Sequence, residues 1–323
     1  MKNYIDSIFK ISHIAIISLL IIFPAKLFSE ADSENANIRN DSNFHYIYQK
    51  ENLKAKFATF LVNVFHLYPE KEFHALIDST SKQYNKDKDI YINTQENIHT
   101  IKPFFSELTY SIPALSKQKK VISKQTAELL PKNKIFNGYL EIGSTGRYYD
   151  ALKATLALKG DVYFVADHKP NYSFTDMIDR GQLSKAGDFI PLNNYQSKIS
   201  ANIPESSIEL VTVYIGFHHC PIDLRDEFIQ SIWKVMKPGG FLVVRDHNVN
   251  NKDMLKMVSL AHDVFNLGTN ETWETNASEL RNFYSLDTLN KLMLKNGFTT
   301  DGKRLYQSGD PTLNALMLFQ KPA

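Results

Sequence analysis

From Leu53 onward the apolar positions recur at helical steps. Leu53, Phe57, Phe60, Leu61, Val64, Phe65 and Tyr68 fall on one stripe of an amphipathic helix. Pro69 predicts its end, and a second helix is expected from Glu70 to Tyr84. After a lysine- and aspartate-rich turn, a further helical stretch runs from about Thr94 towards Leu130, interrupted at Pro103 and Pro113. The aromatic stripe of this helical cap is expected to be core. Residues 32 to about 43 are polar and read as a linker.

From Ile135 the pattern changes to strand and helix in alternation, the mark of a parallel sheet covered on both faces. Strands are predicted at Gly138–Ile142, Asp161–Ala166, Asp188–Leu192, Ile208–Ile215 and Gly240–Arg245. Helices follow around Met254–Phe265 and Leu286–Lys295, and a closing pair of strands lies near Arg304–Tyr306 and Ala315–Phe319. The fold class is therefore α/β: a doubly wound, Rossmann-like sheet that the late hairpin brings to seven strands, preceded by a helical cap. The expected division is 1–31 as a signal peptide or anchor, 32–134 as linker and cap, and 135–323 as the α/β domain.

The N-terminus adds a location. Lys2 and Lys10 precede an apolar stretch, Ile14 to Phe23, followed by small residues including Ser29 and Ala31 and then by Glu30, Asp32 and Glu34. This order predicts a secretory signal peptide, or an uncleaved anchor with membrane association through residues 11–28. The chain is then periplasmic, secreted or membrane-anchored, with a cytoplasmic place left open. Its formal charge is +2 over 323 residues, which argues against a wide polyanion-binding face and so against a nucleic-acid partner. The run Lys117-Gln118-Lys119-Lys120 reads as a solvated helix face. A single cysteine, Cys220, rules out an intramolecular disulfide.

Four strand ends carry candidate chemistry, since ligands of open α/β sheets bind at the carboxyl ends of the strands. The first strand runs through Glu141 into Gly143, Ser144, Thr145 and Gly146, a glycine turn leading to a helical segment. A carboxylate there suits a ligand with an ammonium or sulfonium group better than a pyrophosphate. Asp167, about twenty residues on, can accept hydrogen bonds from both hydroxyls of a ribose, or can cap a helix starting near Ser173. Gly187-Asp188-Phe189 offers a carboxylate and an apolar neighbour to a base. His218 and His219 end the fourth strand, and Asp246-His247-Asn248 ends the fifth, with His262-Asp263 on the next helix. These can bind an acceptor, move a proton or ligate a divalent metal. Neither His-x-x-x-His nor Cys-x-x-Cys is present, and no metal is expected. Trp273 is placed over the acceptor or in the core.

In order and spacing, the Glu141–Gly146 turn, Asp167, Gly187-Asp188-Phe189, the strand ending in His218-His219 and the later Lys237-Pro238-Gly239-Gly240 resemble the class I S-adenosylmethionine-dependent methyltransferases, small-molecule (type 11-like) branch. The resemblance covers roughly residues 136–248. It implies S-adenosylmethionine as cofactor, with Glu141, Gly143, Ser144 and Gly146 around its methionine part, Asp167 at the ribose, and Asp188 and Phe189 at the adenine. It implies a small or amphiphilic acceptor near His218, His219, Asp246 and His247. The family turn is E/D-x-G-x-G-x-G, whereas Glu141-Ile142-Gly143-Ser144-Thr145-Gly146 is altered or a residue shorter. Two rivals remain: a methyltransferase-like binding or scaffold module without turnover, and a nicotinamide-dependent oxidoreductase, which Glu141 in place of a first glycine opposes.

Overall fold

Seven strands form one sheet: β1 Ile135–Ile142, β2 Ala157–Ala166, β3 Asp188–Pro191, β4 Ile208–Val213, β5 Met236–His247, β6 Arg304–Tyr306 and β7 Asn314–Gln320. The order across it is β3-β2-β1-β4-β5-β7-β6. β1 to β5 run parallel, while β7 is antiparallel to both β5 and β6. This is a doubly wound, Rossmann-like sheet whose order reverses between β1 and β4, the place where such sheets open a ligand crevice. The computed structural model describes residues 42–103, 110–171, 186–214 and 216–323. The expected leader and most of the linker, residues 1–41, lie outside the described residues.

Alternation along the strands supplies both faces of the sheet. Leu140, Ile142, Val211, Val213, Leu242 and Val244 pack with Phe228, Ile229 and Ile232 of α7 (Arg225–Val235) and Leu289 and Met293 of α10 (Leu286–Lys295). On the other face Tyr139, Phe164, Tyr214 and Val243 meet Ile122 of α5 (Ile112–Leu129) and Leu152 of α6 (Tyr149–Lys153). Being covered twice, the parallel strands carry near-continuous apolar runs. β1, β2 and β5 each begin earlier than expected, β5 at Met236 rather than Gly240. α7 stops at Val235, and Pro238 lies inside β5, where the register to β4 jumps from Ile208↔Met236 to Leu210↔Phe241. A bulge tolerates a residue with no N–H, so Pro238 interrupts the ladder there.

Before the sheet come α1 Asn43–Tyr48, α2 Glu51–Phe60, α3 Glu70–Gln83, α4 Asp87–Asn97 and α5. α2 continues through one π turn, Leu61–Phe65, and ends at His66 with φ 41°, short of Tyr68. The lysine- and aspartate-rich segment is not a turn but the start of α4. Asp87 and Asp89 suit that helix N-terminus, and Asp87 accepts hydrogen bonds from the Ser42 hydroxyl and the Asn43 backbone N–H. Pro113 opens α5 instead of interrupting it. Within the lysine run Lys117 and Lys120 are exposed, but Lys119 is buried.

The cap aromatics are core, with a partner the sequence does not reveal. Phe44, Phe57, Phe65 and Phe73 pack against Met257, Leu260, Val264 and Leu267 of α8 (Lys252–Gly268). Trp273, first residue of α9 (Trp273–Ser278), joins them edge-on to Tyr91 at 5.4 Å, so it belongs to this packing and not to an acceptor loop. Hydrogen bonds from Tyr68 to the Gly268 carbonyl (2.6 Å) and from Tyr91 to the Glu271 carbonyl (2.8 Å) fix the cap to the C-terminal end of α8 and the turn after it. α8 thus has one side in the cap and presents His262 to the carboxyl edge of the sheet. Among the described residues no helix is long and apolar enough to cross a membrane.

Candidate functional site

β1 delivers Glu141 into the protein rather than into a crevice. It is 1% exposed, and its carboxylate accepts from the Tyr139 hydroxyl (2.8 Å), the Ser144 hydroxyl and the Tyr148 backbone N–H (3.2 Å). Burial pushes its pKa up, against the downward pull of those donors. Glu141 is therefore the clamp that closes the glycine turn upon itself. Ser144 and Thr145 are buried beneath it. Gly146 has φ +100°, and a Cβ there would lie 2.8 Å from the Phe164 ring; only glycine lets the turn pass so close. Gly143 donates its N–H to the Val165 carbonyl at 2.8 Å, extending the β1–β2 pairing into the turn.

Asp167 follows β2 directly and stands exposed at the carboxyl edge. Asp188 and Phe189 do not reach that edge. Asp188 opens β3 opposite Tyr163, while Pro191 closes it opposite Ala166. Three residues of strand, about 10 Å, separate Asp188 from the edge, and the carboxyl end of β3 runs instead into Leu192, Asn193 and Asn194. The expectation that Gly187-Asp188-Phe189 stands at the carboxyl end of the third strand is thus corrected.

The ends of β4 and β5 meet around a group of histidines. Gly216 (φ +53°) turns the chain into a short 3-10 turn, Phe217–His219, and a Cβ on Gly216 would strike the His219 ring at 2.1 Å. His218, 3% exposed, faces Asp246 of β5, its Nδ1 2.6 Å from Oδ1. The same Oδ1 accepts from the His247 backbone N–H (2.8 Å), and Oδ2 from the Tyr284 hydroxyl (2.6 Å). Burial alone would raise the Asp246 pKa, but His218 beside it holds the carboxyl well below the usual range.

His262 comes from α8 and brings its Nε2 to 3.1 Å from His218 Nε2. The His219 ring lies tilted by 46° against His218 with ring centres 4.3 Å apart, and His247 lies 5.8 Å from His218 and 5.5 Å from His262. Phe283 covers the group, 4.8 Å from His218 and 5.0 Å from His262. Burial, then the charge of His218, lowers the pKa of His219 and of His247 to about 4 each, and lowers that of His262 well below its ordinary value. All four predicted acceptor-side residues, His218, His219, Asp246 and His247, are thus brought together.

Sequence reasoning underrated His262 and missed the segment 279–284, which supplies the Leu280 carbonyl, Phe283 and Tyr284. That segment is held by Arg281, which donates to Asp263 (2.7 Å) and to Glu279 (2.8 Å). Two cavities lie elsewhere: one of about 380 Å³ against Leu53, Met254 and Pro311, and one of about 210 Å³ against Tyr195, Leu224 and Phe228.

No family model matches the sequence, and no curated protein is significantly similar to it. Among solved structures the chain is similar to the CurJ carbon methyltransferase, at 13% identity and TM-score 0.45, over 85% of this chain and 72% of that one. It is similar to the methyltransferase solved with the Haloferax volcanii Trm112 activator, at 11% identity and TM-score 0.45, over 66% and 94%. It is also similar to the N-methyltransferase NodS from Bradyrhizobium japonicum WM9, at 13% identity and TM-score 0.39, over 65% and 97%. With all three scores below 0.5, the fold stands on the strand order of the sheet itself.

Proposed function

We propose that this chain is a class I S-adenosylmethionine-dependent methyltransferase acting on a small or amphiphilic acceptor. The observation that carries the reading is the shared carboxyl edge. The glycine turn after β1 and the open carboxylate of Asp167 after β2 lie on one side of the switch point, and the His218–Asp246 pair lies on the other. Seven strands with an antiparallel last pair and the Lys237-Pro238-Gly239-Gly240 entry to β5 support it further.

The residues present fit the cofactor at two places. Asp167 can accept from ribose hydroxyls, and the turn from Gly143 to Gly146 offers main chain that a ligand can approach closely. The Glu141 carboxylate is committed to the turn, so it shapes the methionine side without touching it. At the base, Asn193 and Asn194, which follow β3 at the carboxyl edge, are better situated than Asp188. When bound, the cofactor supplies an electrophilic methyl group on sulfonium. The chain's task is to hold the acceptor in line with it, which accounts for most of the rate in such displacements. Asp246 fixes the His218 ring with its proton on Nδ1 and its Nε2 turned towards His262 at 3.1 Å, at the side where the acceptor would lie.

Calorimetric titration of the full chain with S-adenosylmethionine tests this. Binding is expected, weakened by about 1–3 kcal/mol in Asp167→Ala. No binding by a protein shown to be folded would sink the reading. A binding module without turnover is favoured by one observation, the sealing of Glu141 inside its own loop. Affinity for the cofactor with no methyl transfer across an acceptor panel would select it. The apolar stretch within residues 11–28 fits an exported or membrane-attached protein, which fractionation of tagged full-length chain would test.

A further inference from the structure

The histidine group has a feature that proton transfer alone does not need. His218 Nδ1 lies against the Asp246 carboxylate at 2.6 Å, His219 Nδ1 against the Leu280 carbonyl at 2.7 Å, and His262 Nδ1 against the Val258 carbonyl at 2.9 Å. Carboxylates and carbonyls only accept. Each ring must therefore carry its proton on Nδ1, and each neutral imidazole presents a bare lone pair at Nε2. Two of these lone pairs, on His218 and His262, face each other at 3.1 Å. Nitrogens so placed need a cation between them, either a proton that makes His218 an imidazolium donating to His262 or a metal ion that both rings ligate.

We propose that His218, His219 and His262 form a three-imidazole site for a divalent transition metal of the zinc type, with a fourth position open to water or to an acceptor heteroatom. One nitrogen from each of the three lies within 4.8 Å of the others. Zn–N bonds of about 2.0–2.1 Å in a tetrahedron set ligand nitrogens roughly 3.3 Å apart, close to the His218–His262 spacing. Closing the third side takes a movement of His219, whose side chain is 23% exposed. The Nδ1 contacts are the outer partners that fix ring and tautomer at metal sites: one carboxylate and two carbonyls. Glu279, 3.6 Å from His219 Nε2, adds negative charge beside the opening. Three neutral nitrogen donors favour zinc, cobalt, nickel or copper over magnesium or calcium. The site stands whether or not the chain transfers methyl groups, because its test contains no S-adenosylmethionine.

The test is titration of the metal-stripped full chain with Zn²⁺ by calorimetry, and with Co²⁺ by absorption spectroscopy. One equivalent of Zn²⁺ is expected to bind and to raise the melting temperature, with intense tetrahedral d–d bands for Co²⁺. His219→Gln and His262→Gln should each weaken binding about tenfold or more, while His99→Gln, an exposed control on the cap, should leave it unchanged. No stoichiometric binding by the folded parent would overturn the proposal. Undiminished binding in both site variants would overturn it too. Should a variant fail to fold, the parent's Co²⁺ spectrum decides: tetrahedral bands support the site, and six-coordinate or absent bands refute it.

Discussion

The two halves of the carboxyl edge are built in opposite ways. On the β1–β3 side, among the described residues, Asp167 is exposed at the edge, and the buried acid Glu141 is spent on closing its own turn. On the β4–β5 side, His218 and Asp246 are each 3% exposed, and every polar atom of Asp246 has a donor. A ligand held largely by main chain needs few side chains, but each glycine is then irreplaceable. A buried polar cluster tolerates no missing partner, since each stranded donor costs its full desolvation. The first half should be sensitive to added atoms, the second to removed ones.

The largest effect is expected from Asp246→Ala. It strands the His218 Nδ1–H, the Tyr284 hydroxyl and the His247 backbone N–H, all of which donate to that carboxylate. At about 1–3 kcal/mol for each buried donor left unpaired, denaturant unfolding should show a loss of several kcal/mol. A loss under about 0.5 kcal/mol, the level of an ordinary surface change, would mean that the cluster is hydrated and the contrast false. On the other side, Gly146→Ala should cost about 2–4 kcal/mol: about 1–2 for a left-handed backbone, and the rest for pushing a methyl against Phe164. Cofactor affinity should fall with it. A neutral result would show the turn to be free to open.

A subtler effect concerns Glu141 and pH. Burial raises its folded-state pKa above the ordinary 4.5, so the fold favours the protonated form. That contribution is full below pH 4.5 and is lost as pH rises through the folded value, because the folded chain there holds a proton that the unfolded chain has released. Relative to Glu141→Gln, the parent should lose stability across that rise. Parallel stability–pH curves for the two proteins would show instead that Ser144, Tyr139 and the Tyr148 N–H fully offset the burial.

The same division explains what was legible in the sequence. α10 carries its bounds, Leu286–Lys295, in its apolar spacing and its capping Ser285, and the apolar runs of β1, β2, β4 and β5 stand out because both sheet faces are covered. Asp188 misled because β3 has four residues, too few for alternation to say which end is which. His262 was underread for a different reason. On α8 it is a single histidine, and only the packing of that helix between cap and sheet brings it to His218, 44 residues away in sequence. Glu141 was read by type and place, yet its direction depends on Tyr139 and Ser144, which alternation and turn geometry turn inward.

The smallest expected effect on stability is the sharpest for function. Asp167 is exposed at the end of β2, so Asp167→Ala should change unfolding free energy by no more than about 0.5 kcal/mol. In the same protein, affinity for S-adenosylmethionine should drop about 5- to 150-fold, equivalent to about 1–3 kcal/mol for hydrogen bonds to a charged group. A residue whose removal leaves the fold unchanged but weakens a nucleoside ligand can act only through that ligand. If instead affinity holds and stability falls, Asp167 caps the chain that follows β2. Recognition would then rest on the glycine turn and on Asn193 and Asn194, and the open half of the edge would be as self-occupied as the histidine half.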